Sequence, residues 1–334
     1  MISGVILFIF DQKQHSEYQL QLLAKEDAQN KVDFTNYLSK FNKNYLDLKT
    51  FTQKMATFIE NKKQITTLNS KLKDFRLEQN IFSDWSNQEY QSILGLSAPT
   101  DIPKFNKTKQ NWLISSTVKK LSIPKQLDWR FSNIITQVKN QGRCGSCYAF
   151  SSIASFESLL ILNNRAKYQE IDLSEQQIID CTRQYSNLGC RGGDVSKVFE
   201  YLMQIKVQNE STYPYIKKVN PKCLYSELNG FFFEDPDDIV EIVSKQPVTA
   251  GIDASSIYFK NYKNGIITST KCGAQNNHSV LIIGYGTLDQ IDYWIVKNSY
   301  GIRWGENGFA RIQRTAGRDG ICGLNKYIAY PILN

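Results

Sequence analysis

Histidine is nearly absent from this chain, which has His15 and His278 in 334 residues. The one Cys-x-x-Cys pair, Cys144 and Cys147, has no second pair to match it. A structural zinc site needs about four nitrogen or sulfur ligands, so a zinc reading lacks its donors. A redox dithiol expects a strand just before the motif; polar Lys139-Asn140-Gln141-Gly142 stands there instead. Long apolar runs are missing too. The stretch Ile2 to Phe10 is far shorter than the roughly 20 residues that span a bilayer. It has the length of a signal-peptide core, although no Lys or Arg precedes it and no small-x-small site follows. Residues 1–24 are therefore expected to be a short signal peptide and leader, with no stable membrane anchor. The net charge of +8 is not gathered into a basic tract, so nothing points to nucleic acid.

Apolar residues make up 41% of the chain, enough for a sizeable core. Composition changes near residue 120. From Lys25 to Tyr90 there is no Cys and no Pro, and Phe34, Tyr37, Leu38 and Phe41 recur at helical spacing. Met55, Phe58, Ile59, Ile65 and Leu68 suggest a second, longer helix. Residues 25–96 thus read as a helical domain. Residues 97–122 carry Pro99, Pro103 and several Lys, Ser and Thr residues, as an exposed and cleavable linker does. The remainder, 123–334, holds all seven cysteines, most of the glycines and the short apolar runs of strands. A buried helix is predicted from Cys147 to about Leu162, and strands over Ser279–Tyr285 and Tyr293–Lys297. Helices come early and strands late, so this part reads as α+β halves packed side by side.

Seven cysteines suggest three bridges and one free thiol. A thiol becomes a strong nucleophile only as thiolate, and a helix N-terminus lowers its pKa. Cys147 opens the predicted helix. His278, the one histidine beyond the N-terminal region, is the available base and begins an apolar strand. Its ring must be held in one tautomer; Asn298, at the end of the next strand, can accept from it. A tetrahedral intermediate needs donors at its oxyanion, and the backbone N–H of Cys147 and the side-chain amide of Gln141 would supply them.

These residues resemble the signature of the papain and cathepsin family, in the run Cys144-Gly145-Ser146-Cys147-Tyr148 with His278 and Asn298 far downstream. Further matches are Asp128-Trp129-Arg130, Leu173-Ser174-Glu175-Gln176, Cys190-Arg191-Gly192-Gly193, Asn277-His278-Ser279, Lys297-Asn298-Ser299 and Trp304-Gly305. The resemblance covers nearly the whole chain. It implies a papain-like two-lobed fold, with a helical left lobe, a β-barrel-like right lobe and the site in the cleft between them. It also implies bridges Cys144–Cys190, Cys181–Cys223 and Cys272–Cys322, leaving Cys147 free. The N-terminal part resembles the inhibitory propeptide of the cathepsin L-like branch, through Phe58, Asn61, Ile65 and Asn69 and then Asn80, Phe82 and Asp84. Thr50, Lys54 and Glu78 replace that motif's usual Glu, Arg and Gly, which bears on the strength of inhibition.

The implied activity is that of a cysteine endopeptidase made as a latent zymogen. It would act on proteins and peptides and need no cofactor or metal. Its propeptide, and cystatin-like proteins, would inhibit it. A monomer in a lysosome-like or vacuolar acidic compartment, or outside the cell, is expected, with activation by a cut near Lys119 to Ser122. By resemblance, Gly192, Gly193, Val195, Gly251, Asn276, Ser279 and Tyr327 form the substrate pocket, shallow and suited to Leu or Val. Tyr148 and Tyr300 stand where most members have Trp; Tyr300 would shield the Asn–His hydrogen bond less fully, which predicts reduced activity. Extra histidines of the dipeptidase branch are missing, which favours an endopeptidase. A non-catalytic binding protein on the same fold would ordinarily have lost the nucleophile, and Cys147 is present. Asn106-Lys107-Thr108 and Asn209-Glu210-Ser211 match the glycosylation pattern.

Overall fold

The computed structural model describes residues 2–98, 123–223, 232–234, 238–317 and 319–332. Most of the expected linker, with its cleavage site and Asn106, lies outside the described residues, as do the side chains of the Ile2–Phe10 stretch. The chain divides into two compact units, one of residues 1–67 and 79–86 and the other of residues 68–78 and 87–334. The 25–96 segment, expected as one domain, is therefore shared between them.

The first unit is built on helix α1, Ile2–Phe41, and on most of helix α2, Leu48–Asn69. The three- and four-residue spacing of its aromatics brings Phe34, Tyr37, Phe41 and Phe58 into one buried cluster. Asp84, in the returning loop, is fully buried. Its carboxylate accepts from Tyr37 Oη at 2.9 Å and also from Lys43 and Tyr45. A buried carboxylate is tolerable only when so satisfied. Asn61 donates to Ser83 O at 2.7 Å, which holds that loop against α2. Between the helices Lys62 donates to Asn30 at 3.0 Å and pairs with Asp33.

The second unit joins helices to a sheet. Its helices are α3 (Asn87–Gln91), α4 (Cys147–Asn163), α5 (Arg165–Tyr168), α6 (Glu175–Cys181), α7 (Val195–Leu202), α8 (Ile239–Lys245) and α9 (Ile257–Lys260). Its strands are β1 (Phe75–Leu77), β2 (Leu127–Asp128), β3 (Phe232–Glu234), β4 (Val248–Ile252), β5 (Tyr262–Ile267), β6 (His278–Leu288), β7 (Ile291–Lys297), β8 (Phe309–Gln313) and β9 (Ile328–Ile332). Hydrogen bonds link the strands in the order β1-β5-β8-β7-β6-β4-β9-β3, with β2 also on β6. Where a barrel-like lobe is expected, this is an open path that ends on β1 and β3. The outer strand β1 comes from the N-terminal part of the chain and lies antiparallel on β5. The pairing of β6 with β7 shifts register between Ile282 and Gly284, as at a bulge. A Cβ at Gly284 would lie 2.1 Å from Leu127 O, so only glycine lets β2 cross there.

Helix α4 is buried from Cys147 to Ile161. Its serines are satisfied without water: Ser152 and Ser158 bond back to Tyr148 O and Ala154 O, at 2.7 and 2.8 Å, and Ser155 reaches Pro247 O at 3.1 Å. Strand β6 is buried on both faces over its first nine residues, which explains its unbroken apolar run. Leu281 and Ile283 pack on Ala154 of α4. One turn into the helix, Ser151 Oγ meets Ser279 Oγ at 2.7 Å. That bond ties the beginning of α4 to the beginning of β6 and so brings Cys147 and His278 to the same place.

Candidate active site

Cys147 is the first residue of α4, fully buried, and the one free cysteine. Disulfides join Cys144 to Cys190, Cys181 to Cys223 and Cys272 to Cys322. The first of these clamps the loop before α4 to the Cys190–Gly193 turn. Ser146 does not cap the helix with its side chain; its hydroxyl meets Tyr215 Oη at 2.9 Å. Burial pushes the Cys147 thiol up to about 11. Backbone N–H groups of Ser279, Gly95 and Tyr148 act in the opposite sense.

His278 opens β6 and is fully buried. Its Nε2 lies 2.8 Å from Asn298 Oδ1. A carbonyl oxygen can only accept, so Nε2 carries the proton and Nδ1 is left with its lone pair. No hydrogen bond is made to Nδ1, from Cys147 or any other described group. Asn298 Oδ1 also accepts from Ser299 N at 2.8 Å, which fixes the amide's orientation. The Tyr300 ring lies over the imidazole, with centroids 4.8 Å apart and planes tilted by 32°. Phe259 and Trp304 flank Tyr300 in turn, at 6.3 and 5.6 Å. Burial in this aromatic box pushes His278 down to about 4, against the opposing pull of Asn298.

Gln141 is fully buried beside them. Its Oε1 accepts from Ser299 Oγ at 2.6 Å, and its backbone N–H donates to Ser299 O at 2.9 Å. Both hydrogens of Nε2 are occupied, by Cys144 O at 2.8 Å and Ile93 O at 3.0 Å. Tyr148, in the next position of α4, donates to Gly189 O at 3.2 Å.

Ile93 belongs to a segment, Tyr90 to Ser97, that lies over all of these groups. Gly95 O accepts from Gly193 N, Leu96 N donates to Asn277 O and Ser97 N donates to Gly193 O, at 2.9, 3.0 and 2.9 Å. Gly95 passes so close that a Cβ there would lie 1.9 Å from Gly145 O. The Leu96 side chain joins Val195 and Tyr327 in the buried cluster. It also approaches Gly251, where a Cβ would lie 2.9 Å from Leu96 Cδ2. Tyr327 is held in place by Asp194 and by the N–H of Ser196 at 3.1 Å. Of the expected pocket residues, Val195 and Tyr327 share the buried cluster of Leu96, Gly251 lies against its side chain, and Gly193 pairs with the segment's backbone. Asn276 stands against Gly251, its amide nitrogen 2.5 Å from a Cβ built there. Ser279 takes part through its N–H; its hydroxyl turns inward to Ser151. Gly192 lies beside Gly95, at 2.9 Å from its ideal Cβ position to Gly95 O.

Sequence reasoning did not find this covering segment. One signal was available: Gly95 is the one glycine between Gly4 and Gly142.

Residues 123–332 match the family model of papain family cysteine proteases, which spans more than half of the chain. The chain belongs to the papain family. Residues 34–90 of the protease match the cathepsin propeptide inhibitor domain. Among curated relatives, the cysteine protease XCP2 of Arabidopsis thaliana is 34% identical over 310 residues, covering 89% of this chain and 85% of that protein. Cysteine proteinase COT44 of Brassica napus is 36% identical over 278 residues, or 79% of this chain and 83% of the relative. Among solved structures, the digestive procathepsin L2 proteinase of Tenebrio molitor larval midgut superposes with a TM-score of 0.77 at 30% identity, covering 91% of this chain and all of that one. Recombinant stem bromelain precursor gives 0.77 at 30% identity over 91% and 99% of the two chains. The protease is thus a cysteine peptidase carrying its own propeptide inhibitor, and the segment over Cys147 begins at the last residue of the matched inhibitor domain.

Proposed function

We propose that the protease cuts peptide bonds with Cys147 as nucleophile and His278 as its acid–base partner, oriented by Asn298. The Cys147 N–H and the Gln141 amide serve as oxyanion donors. The observation that carries this reading is the His278–Asn298 bond, which leaves Nδ1 unpaired beside the strand whose Ser279 N–H faces the one free thiol. Once the cover leaves, water and the helix N-terminus favour a thiolate beside an imidazolium. The thiolate attacks the carbonyl carbon, and His278 protonates the leaving amine. Water then hydrolyses the thioester. Gln141 is the right donor for the oxyanion because a carbonyl oxygen, that of Ile93, already occupies its Nε2 hydrogen in the latent form.

Substrates enter as Leu96 does. A pocket of Val195, Gly251 and Tyr327 that closes on a leucine supports selection of Leu or Val over Arg two residues before the cut. Residues 25–96 act as the propeptide and 97–122 as the linker that is cut, freeing a mature domain of 123–334. General protein degradation by a monomer, in an acidic compartment or after secretion, and control by cystatin-like inhibitors fit the fold family. Exposed Asn209 in its turn is open to a glycan along the secretory route.

Labelling with an epoxide such as E-64 after acid treatment, read by intact mass, tests the assignment. One adduct on Cys147, formed only after the mass falls to that of a chain starting near Ile123, is expected. A folded, processed chain that takes no adduct overturns it.

A further inference from the structure

Tyr90 fills a slot of its own in the second unit. It is fully buried, and its hydroxyl donates to Ala254 O at 3.0 Å. The single proton is then used, so Tyr300 Oη, 3.4 Å away, donates to the Tyr90 oxygen. The Lys260 ammonium stands 5.2 Å from the ring centroid, a cation–π distance. One phenol therefore meets an acceptor, a donor and a cation, each from a residue beyond position 123.

The slot is built independently of its occupant. Ala254 N donates to Asn277 Oδ1 at 2.9 Å, and Asn277 Nδ2 donates to Asp253 Oδ1 at 3.1 Å. Asp253 N bonds to Cys322 O at 2.7 Å, within the bridge to Cys272. Tyr300 is held between His278, Phe259 and Trp304. Trp304 Nε1 is anchored on the carbonyls of Phe259 and Lys260 at 3.3 and 3.2 Å. Along the covering segment the order is Tyr90 at this slot, Ile93 at Gln141, Gly95 at Cys147 and Leu96 in its pocket. The slot thus lies across the dyad from the Leu96 pocket. That pocket takes the acyl side of a substrate, which puts the slot on the leaving-group side.

We infer that, once the propeptide leaves, this slot binds a tyrosine side chain of the substrate after the scissile bond, with its hydroxyl between Ala254 O and Tyr300 Oη. The inference rests on the endopeptidase reading above. Phenylalanine fills the same space but offers no donor to the Ala254 carbonyl. Sites built around a hydroxyl discriminate strongly against its loss.

The test uses the activated enzyme from the full chain. Quenched peptides carry Leu two residues before the cut and Tyr, Phe, O-methyltyrosine or Leu at the first or second position after it, with the cut site verified by mass. Tyr is expected to exceed Phe in kcat/KM by about tenfold at one of the two positions, and O-methyltyrosine to fall to the level of Phe or below. Tyr300→Phe is read only as the Tyr-to-Phe ratio within that enzyme, so a general loss of turnover cancels; the ratio should fall towards one. Equal rates for Tyr, Phe and O-methyltyrosine in the wild-type enzyme overturn the slot while leaving the protease assignment intact. Failure to cleave any of the peptides overturns the assignment itself.

Discussion

Gly95→Ala tests whether the covering segment is what keeps the protease latent. The added Cβ would sit 1.9 Å from Gly145 O, 2.4 Å from its carbon and 2.8 Å from its Cα. All three atoms are backbone, next to the Cys144–Cys190 bridge, and cannot swing aside. The segment must therefore lift. Lifting forfeits the hydrogen bonds through Gly95 O, Leu96 N and Ser97 N. At about 1 kcal/mol net for each bond, that is about 3 kcal/mol. Full departure of Leu96 from its pocket would add about 1.5–3 kcal/mol of apolar burial. Counting the hydrogen bonds alone, because a small lift leaves Leu96 partly in its pocket, we expect a weakening of at least about 3 kcal/mol, or about 10²-fold in the open fraction. The assay is the rate at which an epoxide labels Cys147 in intact zymogen with proteolytic processing blocked. Gly95→Ala zymogen should label about 10²-fold faster than wild type, at the same unfolding temperature for the mature region. Equal labelling rates would refute the argument, because the segment would then not govern access to the thiol.

Cys147→Ala should abolish turnover while leaving the zymogen folded, as shown by circular dichroism and the absence of E-64 adduct. Gln141→Ala should lower kcat by about 10²-fold or more with a smaller change in KM, since the lost donor acts on the oxyanion; steady-state kinetics on the activated enzyme decides. A peptide library should show Leu or Val preferred over Arg two residues before the cut, and a strong Arg preference would contradict the role given to Tyr327. Lys62 and Gln29 hold Asp33 below the ordinary carboxylate range. The stability from this depressed group is present above the ordinary Asp pKa and is lost as pH falls through its folded value. The α1–α2 pair should therefore melt more easily in acid. Asp33→Asn should flatten that dependence below about pH 4, followed by circular dichroism.

Periodicity and apolar runs made much of the fold legible. The aromatics from Phe34 to Phe58 mark two helices, the Gly- and Pro-free run after Cys147 marks α4, and Ser279 to Tyr285 marks β6. The role of Asn298 as acceptor follows from its place at the end of β7, opposite the strand that starts with His278. The covering segment was not legible, because its contacts join Ile93 to Gln141 and Tyr90 to Ala254 and leave no local pattern. Three residues at Phe75–Leu77 are too few to signal the strand that extends the sheet past β5. The inward turn of Ser279 is likewise invisible until β6 is laid against α4, where Ser151 supplies the partner.

The two shifts at the dyad look like a pH switch but cancel as one. Beneath the segment, burial raises Cys147 to about 11 and lowers His278 to about 4. Between those values the covered site holds one proton, on sulfur. A thiolate beside an imidazolium in the open site also holds one proton, on the ring. Linkage depends on the difference in protons bound, and here that difference is zero. Across the range where both descriptions hold, pH therefore neither opens nor closes the cover through Cys147 and His278. What burial controls is the position of the proton. The covered site keeps a neutral thiol, a poor nucleophile; in the mechanism proposed above, opening moves the proton to the ring and arms the sulfur. Acid is then expected to loosen the propeptide through carboxylates elsewhere in the chain, such as Asp33, and not through Cys147 and His278.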